Sequence, residues 1–550
     1  MPRATRRVVR HSSYCTRCWT VNRQNVNSAH VRVRCAMGST VEQRLAALET
    51  SQSQLREQLG NVTAAQEETI VAMNVTWMLL SGMIIFLMQF GFCMLETGSV
   101  TSKSTESIMI KNLGDLALSS LAWWAVGYAF AFGGGGEFIG FSSADRDGTH
   151  TSAWFATNGV QASEDWAKFF FHLNFVATAS TIVSGAIAER AHILSYFFYS
   201  TLCACIIYPP VAHWEWSSTG WASPYRADHG AWQGGVIDFA GCGAVHLVGG
   251  VGAVIGAAII GPRKGRYDPS SMKPIPMPGH SSVLQVMGTF ILWVGWYGFN
   301  AGSTMRMDGV NSRTAARVAV TTTLAASMGG VTGMLVPRCL GTTKTYDVPS
   351  VCNGVLAGLV SITGGCATVT AWASLLIGVI GGVAFLVTSR LLLERGGIDD
   401  PLDAGAVHGS CGVWGLLAAS LFSTAEYTAD VYGPMLTPGL FYSAGGQRLT
   451  ASVVFTLATV AWVGLTSVRT AANRARTSHP TCSETAARSR RDRGEIGPMR
   501  PPSPTSTPKA RARSLRHEPA PLTFFHLFHL LPSNLVRSVN LAPASPHRSP

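Results

Sequence analysis

The tetrapeptide Gly-Ala-Val-His occurs twice, as Gly243-Ala244-Val245-His246 and as Gly405-Ala406-Val407-His408, each time inside a long apolar stretch. An imidazole in hydrocarbon costs on the order of several kcal/mol unless a partner or a water-filled path satisfies it, so ionisable groups there are functional candidates. Two imidazoles brought together could share a proton, hydrogen-bond a small polar solute, or ligate haem from both sides. Either one alone could instead donate to a neighbouring helix carbonyl as a packing device. Matching context favours a working pair. Gly249, Gly250, Gly252 and Gly256 follow the first histidine, and Gly409, Gly412 and Gly415 follow the second. Small residues let helices approach closely, leaving a lumen thinner than haem requires. An aspartate stands before each, Asp238 eight residues ahead of His246 and Asp403 five ahead of His408.

The elements that carry these residues are membrane spans. With 47% hydrophobic residues, 13% charged and 57 glycines, the composition is that of a polytopic membrane protein rather than a soluble enzyme. Uninterrupted apolar length predicts spans near 76–95, 113–132, 169–188, 193–213, 240–260, 282–301, 318–337, 351–366, 370–389, 404–422 and 450–468, an all-α protein of eleven crossings. The histidine spans are then the fifth and tenth. Five crossings apart, they run in opposite directions, which is the pattern of inverted five-helix repeats with one further C-terminal helix.

The formal charge of +12 does not point to nucleic acid. Residues 1–36 hold eight arginines and no acid, and residues 469–550 hold fourteen Lys/Arg against four acids, so 37–468 is left with 20 basic and 26 acidic residues. Basic residues in short loops favour the cytoplasm. Lys103, Lys111, Arg190, Arg263, Lys264, Arg266, Lys273, Arg338, Lys344, Arg390 and Arg395 follow odd-numbered spans, which puts the N-terminus outside and the C-terminus inside. The twelve cysteines are scattered, and Cys15-x-x-Cys18 lacks the further ligands of a zinc site, so neither metal nor cofactor is expected.

The blocks 89–100, 169–190, 212–218, 238–246, 295–303, 353–360 and 399–409, in this order and spacing, resemble the ammonium transporter (Amt/Mep/Rh) family, most closely its plant and algal subgroup. The resemblance implies eleven helices, an outward N-terminus, a homotrimer in the plasma membrane, and ammonium or ammonia as substrate, with methylammonium as a second small amine. Carried over by position, it puts an outer recruitment site at Trp216 and Ser303, with Phe171 beside it, and a stacked gate at Phe175 and Phe299. It makes His246 and His408 the pore lining, and Asp238, Asp403 and Asn300 structural or electrostatic supports. The chemistry is consistent. A tryptophan face attracts a cation, and a serine hydroxyl accepts an N–H. A bare ammonium ion in apolar surroundings would cost tens of kcal/mol on a Born estimate, whereas neutral ammonia needs only one or two hydrogen bonds. Passage therefore calls for deprotonation.

The ends depart from this pattern. Residues 1–36 have the composition of an organellar transit peptide or an upstream mis-start. Val41, Leu45, Leu48, Leu55 and Leu59 in the segment 37–74 follow a short heptad, or the apolar face of a surface-lying leader. The membrane domain is expected over 75–468, and 469–550 reads as a basic, Pro/Ser/Arg-rich tail without the family's cytoplasmic Gly-Leu-Asp segment. Two functional classes stand: a conducting transporter, and an ammonium sensor that keeps the binding site but signals. No nucleophile or metal-ligand cluster accompanies the histidines, so an enzyme is not expected.

Overall fold

A computed structural model describes residues 26–144, 150–151, 163–226, 232–341, 344–434, 436–443 and 445–477. The expectations for residues 1–25 and for the tail beyond 477 lie outside the described residues.

Eleven helices carry the fold: α1 (Val26–Ser99), α2 (Ser102–Phe132), α3 (Ser163–Ala186), α4 (Ile193–Trp216), α5 (Cys242–Ile260), α6 (Ser282–Gly302), α7 (Val310–Cys339), α8 (Val348–Thr363), α9 (Ala371–Arg395), α10 (Gly405–Phe422) and α11 (Gln447–Thr477). Among the described residues, ten of these are long and apolar enough to cross a membrane. The other is α8. Its sixteen residues are capped by Asp347, which accepts the Ser350 N–H at 3.0 Å, and residues 352–363 are all buried. A helix that short still fits the fold because protein packs around its middle and its C-terminal end.

The first helix is longer than the predicted span. The heptad segment runs into it without a break, and its apolar residues Val41, Leu45, Leu48, Leu55 and Leu59 are exposed. At the membrane end Asn74 is buried and accepts the Met307 N–H at 2.9 Å, pinning the α6–α7 connection.

Between α1, α2, α3 and α4 runs a buried polar seam. Glu96 accepts from Ser184 at 2.8 Å and from Asn112 at 3.3 Å, while Lys111 donates to the Ser184 carbonyl at 3.0 Å. Asp115 accepts from Ser180 at 2.6 Å and from Ser200. Lys111 is thus a buried helix residue and not the loop lysine the sequence suggested, because α2 begins at Ser102, well before its apolar run.

One face of the bundle is tied by a charge network across its loops. Arg263 pairs with Glu189 at 2.7 Å and with Asp399 at 2.8 Å, and Arg190 donates to the carbonyls of Gly261, at 2.6 Å, and Asp399. Thr101 adds a 2.6 Å bond to Glu189. Burial alone would raise the Glu189 and Asp399 carboxyls, but hydrogen bonds and the Arg263 charge hold both below the ordinary range. On the other face the strands β1 (Gly134–Gly135), β2 (Gly140–Ala144) and β3 (His150–Thr151) form a short antiparallel ladder. It is fastened to α4 through the Trp214 indole, which donates to the Phe138 carbonyl at 2.8 Å.

Candidate functional site

Both Gly-Ala-Val-His segments form a turn of π-helix, Cys242–Leu247 opening α5 and Gly405–Ser410 opening α10. A π turn widens the helix and redirects the side chains on it, and such turns gather at functional sites. Each turn is anchored by an acid five residues before its first glycine. Asp238 accepts the N–H groups of Gly241 (3.0 Å), Cys242 (2.7 Å) and Gly243 (2.6 Å); Asp400 accepts those of Leu402 (3.3 Å) and Gly405 (2.7 Å). A carboxylate suits the unpaired N–H groups and positive end of a helix start.

This corrects the pairing read from sequence. The counterpart of Asp238 is Asp400, eight residues before His408, whereas Asp403 accepts from Ser389 at 2.6 Å and Asn353 at 3.3 Å. Both acids belong to a repeat longer than the tetrapeptide, Asp-x-x-x-x-Gly-Ala-Val-His, which the sequence contains in full.

α5 and α10 meet at Gly250 and Gly409. A Cβ on Gly250 would lie 2.1 Å from the Gly409 nitrogen, so the crossing exists only with a glycine there. That contact brings the two histidines together. The Nδ1 atoms of His246 and His408 are 3.2 Å apart, with ring centroids at 5.3 Å and planes 21° apart. Both are buried. Trp296, which the sequence reading did not single out, stacks on His246 at 5.1 Å and 13°, and its indole donates to Thr363 at 2.9 Å. An indole next to the Gly-Phe-Asn block was the available signal.

On one side of the pair stands an aromatic barrier. Phe175 and Phe299 stack at 4.1 Å and 12°, and Phe299 also lies 5.5 Å from His246. Beyond the barrier opens a cavity of about 300 Å³ lined by Phe171, Phe175, Trp216 and Ser303 together with Phe132, Lys168, His172 and Tyr225. Trp216 is held by its indole on the Asp238 carbonyl at 3.0 Å, and the Ser303 hydroxyl donates to the Phe299 carbonyl at 2.7 Å, leaving its lone pairs for a donor. Asn300 is buried outside this lining and donates to Thr322 at 3.0 Å.

On the opposite side His408 lines a pocket of about 20 Å³ with Phe92, Glu96, Asn353 and Leu402. That is room for one molecule the size of water. Asn353, Leu402 and Leu95 also line a further space of about 130 Å³, with Asp403 and Gln285. Cavity, stacked rings, imidazole pair and narrow pocket thus follow one another through the bundle.

Known proteins resemble this chain closely. The Ammonium Transporter Family model matches residues 76–474. Ammonium transporter 1 member 3 of Solanum lycopersicum is 38% identical over 409 residues, covering 72% of this chain and 85% of the relative. Ammonium transporter 1 member 1 of Arabidopsis thaliana is 40% identical over 386 residues, 68% and 74% of the two chains. Among solved structures, a sensor Amt protein aligns with a TM-score of 0.64 at 31% identity, covering 75% of this chain and 95% of its own. Saccharomyces cerevisiae Mep2 aligns at 0.61 and 26%, covering 72% and 84%. With a family model spanning most of its length and relatives near 40% identity, the chain belongs to the Ammonium Transporter Family.

Proposed function

We propose that this protein moves ammonium across a membrane by binding the cation in the wide cavity, removing a proton, and passing neutral ammonia along the imidazole pair. The observation that carries this reading is the 3.2 Å His246–His408 contact directly behind the Phe175–Phe299 stack. Rings in van der Waals contact exclude a hydrated ion. The imidazoles behind them offer what ammonia needs. With one Nδ1–H donated to the other Nδ1, the donor ring keeps a bare Nε2 and the acceptor ring carries its proton on Nε2. The pair therefore presents one acceptor and one donor along the lumen, and exchanging them takes two proton moves, the shared proton between the Nδ1 atoms and a second from one Nε2 to the other by way of the solute.

In the wide cavity Trp216 supplies a cation–π face, Ser303 a lone pair and Phe171 an apolar wall. Asp238 and Asp400 fix the turns that carry the histidines. Asp403 and Asn300 brace neighbouring helices. The basic loop residues favour a wide cavity facing outward, an external N-terminus and a cytoplasmic C-terminus, and membership of the family favours the plasma membrane. The apolar stripes Met83, Phe86, Phe90 of α1 and Val283, Met287, Phe290, Val294 of α6 give adjacent exposed faces suited to a homotrimer. Methylammonium, one methyl larger, fits the same chemistry. No cofactor enters the scheme, and no residue acts as an enzyme's catalyst.

Expression in yeast lacking its own ammonium carriers, grown on low ammonium, tests the reading. Growth restored by the parent and lost with His246→Ala supports conduction. Ammonium binding without growth would favour a sensor and overturn it.

A further inference from the structure

His172 lies on α3 between the two gate-side phenylalanines, and the functional reading above leaves it without a role. The residue is only 4% exposed. It sits in an aromatic cage: the Phe132 centroid is 4.4 Å away, Phe171 5.4 Å, Phe175 5.6 Å and Trp216 5.6 Å. Among the described residues neither Nδ1 nor Nε2 meets a hydrogen-bond partner, and the residue lines the 300 Å³ cavity. Buried polar atoms are ordinarily paired, so an imidazole with both nitrogens open beside a cavity points to something that enters it. Lys168, one helical turn earlier, holds its charge 4.6 Å from the Phe132 ring centroid, so this wall already carries a cation. What the imidazole can add for a second cation is a lone pair. Trp216 offers only a π face and Ser303 an oxygen on another helix. An acceptor on α3 would give a tetrahedral cation a third direction to bond.

We infer that His172 is a binding residue for the substrate cation, accepting one N–H from it in the wide cavity before the Phe175–Phe299 stack. This rests on the transport reading and deepens it: recognition uses an imidazole outside the gate in addition to the pair behind it. The inference separates affinity from conduction. Loss of the acceptor weakens capture and leaves the path beyond the gate as it was.

The test is radiolabelled methylammonium uptake into the same yeast, with the amount of protein at the surface measured for each variant. His172→Leu removes the lone pairs, His172→Phe does so while keeping an aromatic ring, and His172→Gln keeps an acceptor. With the parent active, Leu and Phe are expected to raise KM roughly tenfold at unchanged Vmax per surface molecule, a loss in keeping with one charge-assisted hydrogen bond. Gln is expected to stay within about threefold of the parent, since it retains an acceptor. Should Leu reach the surface poorly, Phe carries the comparison. A parental KM in either apolar variant, or equal losses in Gln and Phe, would overturn the inference. A parent with no uptake would instead reject the transport reading itself.

Discussion

Nδ1 of His246 and Nδ1 of His408 face each other at 3.2 Å although 162 residues separate them in sequence. The relation arises from two similar turns meeting at a glycine crossing, each turn hung from its own aspartate. Histidine identity alone would not create it. Rotating either turn by a fraction of its pitch would part the rings, so the acids and glycines matter to the chemistry without touching a substrate.

Asp400→Asn is therefore expected to reduce transport in the manner of Asp238→Asn, whereas Asp403→Asn should leave most activity in place. Loss of a charged helix-start acceptor costs about 1–2 kcal/mol. Uptake rates of the three variants at equal surface expression check this, and a larger loss in Asp403→Asn would reassign the anchoring role.

Gly250→Ala should impair both folding and conduction. Its Cβ would fall 2.1 Å from the Gly409 nitrogen, and the contact is backbone, which has little freedom to yield. Overpacking of this kind costs roughly 1–3 kcal/mol. A lower melting temperature in detergent together with lost uptake is expected, while Gly464→Ala, where the nearest atom lies 3.6 Å away, should change neither.

Trp216→Leu should raise KM for methylammonium by up to about thirtyfold, because a desolvated cation–π contact is worth about 2 kcal/mol. Vmax should change less. A selective fall in Vmax would place the indole's role in conduction, not capture.

The loop network predicts a pH dependence of stability. Glu189 and Asp399 are held below the ordinary carboxylate range when folded, so their contribution is present above the unfolded values and is lost as pH falls through the folded ones. Melting temperature should thus drop on the acid side. Arg263→Ala should lower it by the equivalent of about 3 kcal/mol, as expected when one partner of a buried pair is removed, and flatten that acid-side dependence. An unchanged acid profile in the variant would contradict this.

Much of the fold was legible because apolar length reports membrane crossings directly. The duplicated tetrapeptide marked the pair, and Phe175, Phe299, Trp216 and Ser303 converge where the family resemblance implied. Other features were hidden for physical reasons. Lys111 reads as a loop residue by charge but is buried because Glu96 and Asp115 lie in the same seam. Asp403 is the acid nearer the second tetrapeptide in sequence, whereas the turn geometry selects Asp400, five residues before the glycine. His172 carries no spacing or repeat that marks it in the sequence, and only the cavity it lines sets it apart.

The central claim is that the two imidazoles carry a small amine across without its charge. Its most direct test is internal alkalinisation of vesicles containing purified protein after an inward ammonium gradient is imposed, read against protein-free vesicles. The account predicts a faster pH rise with the parent than without protein, and a return to the protein-free rate when both His246 and His408 are replaced by leucine in a chain that still folds. Parental alkalinisation in that double variant would contradict it.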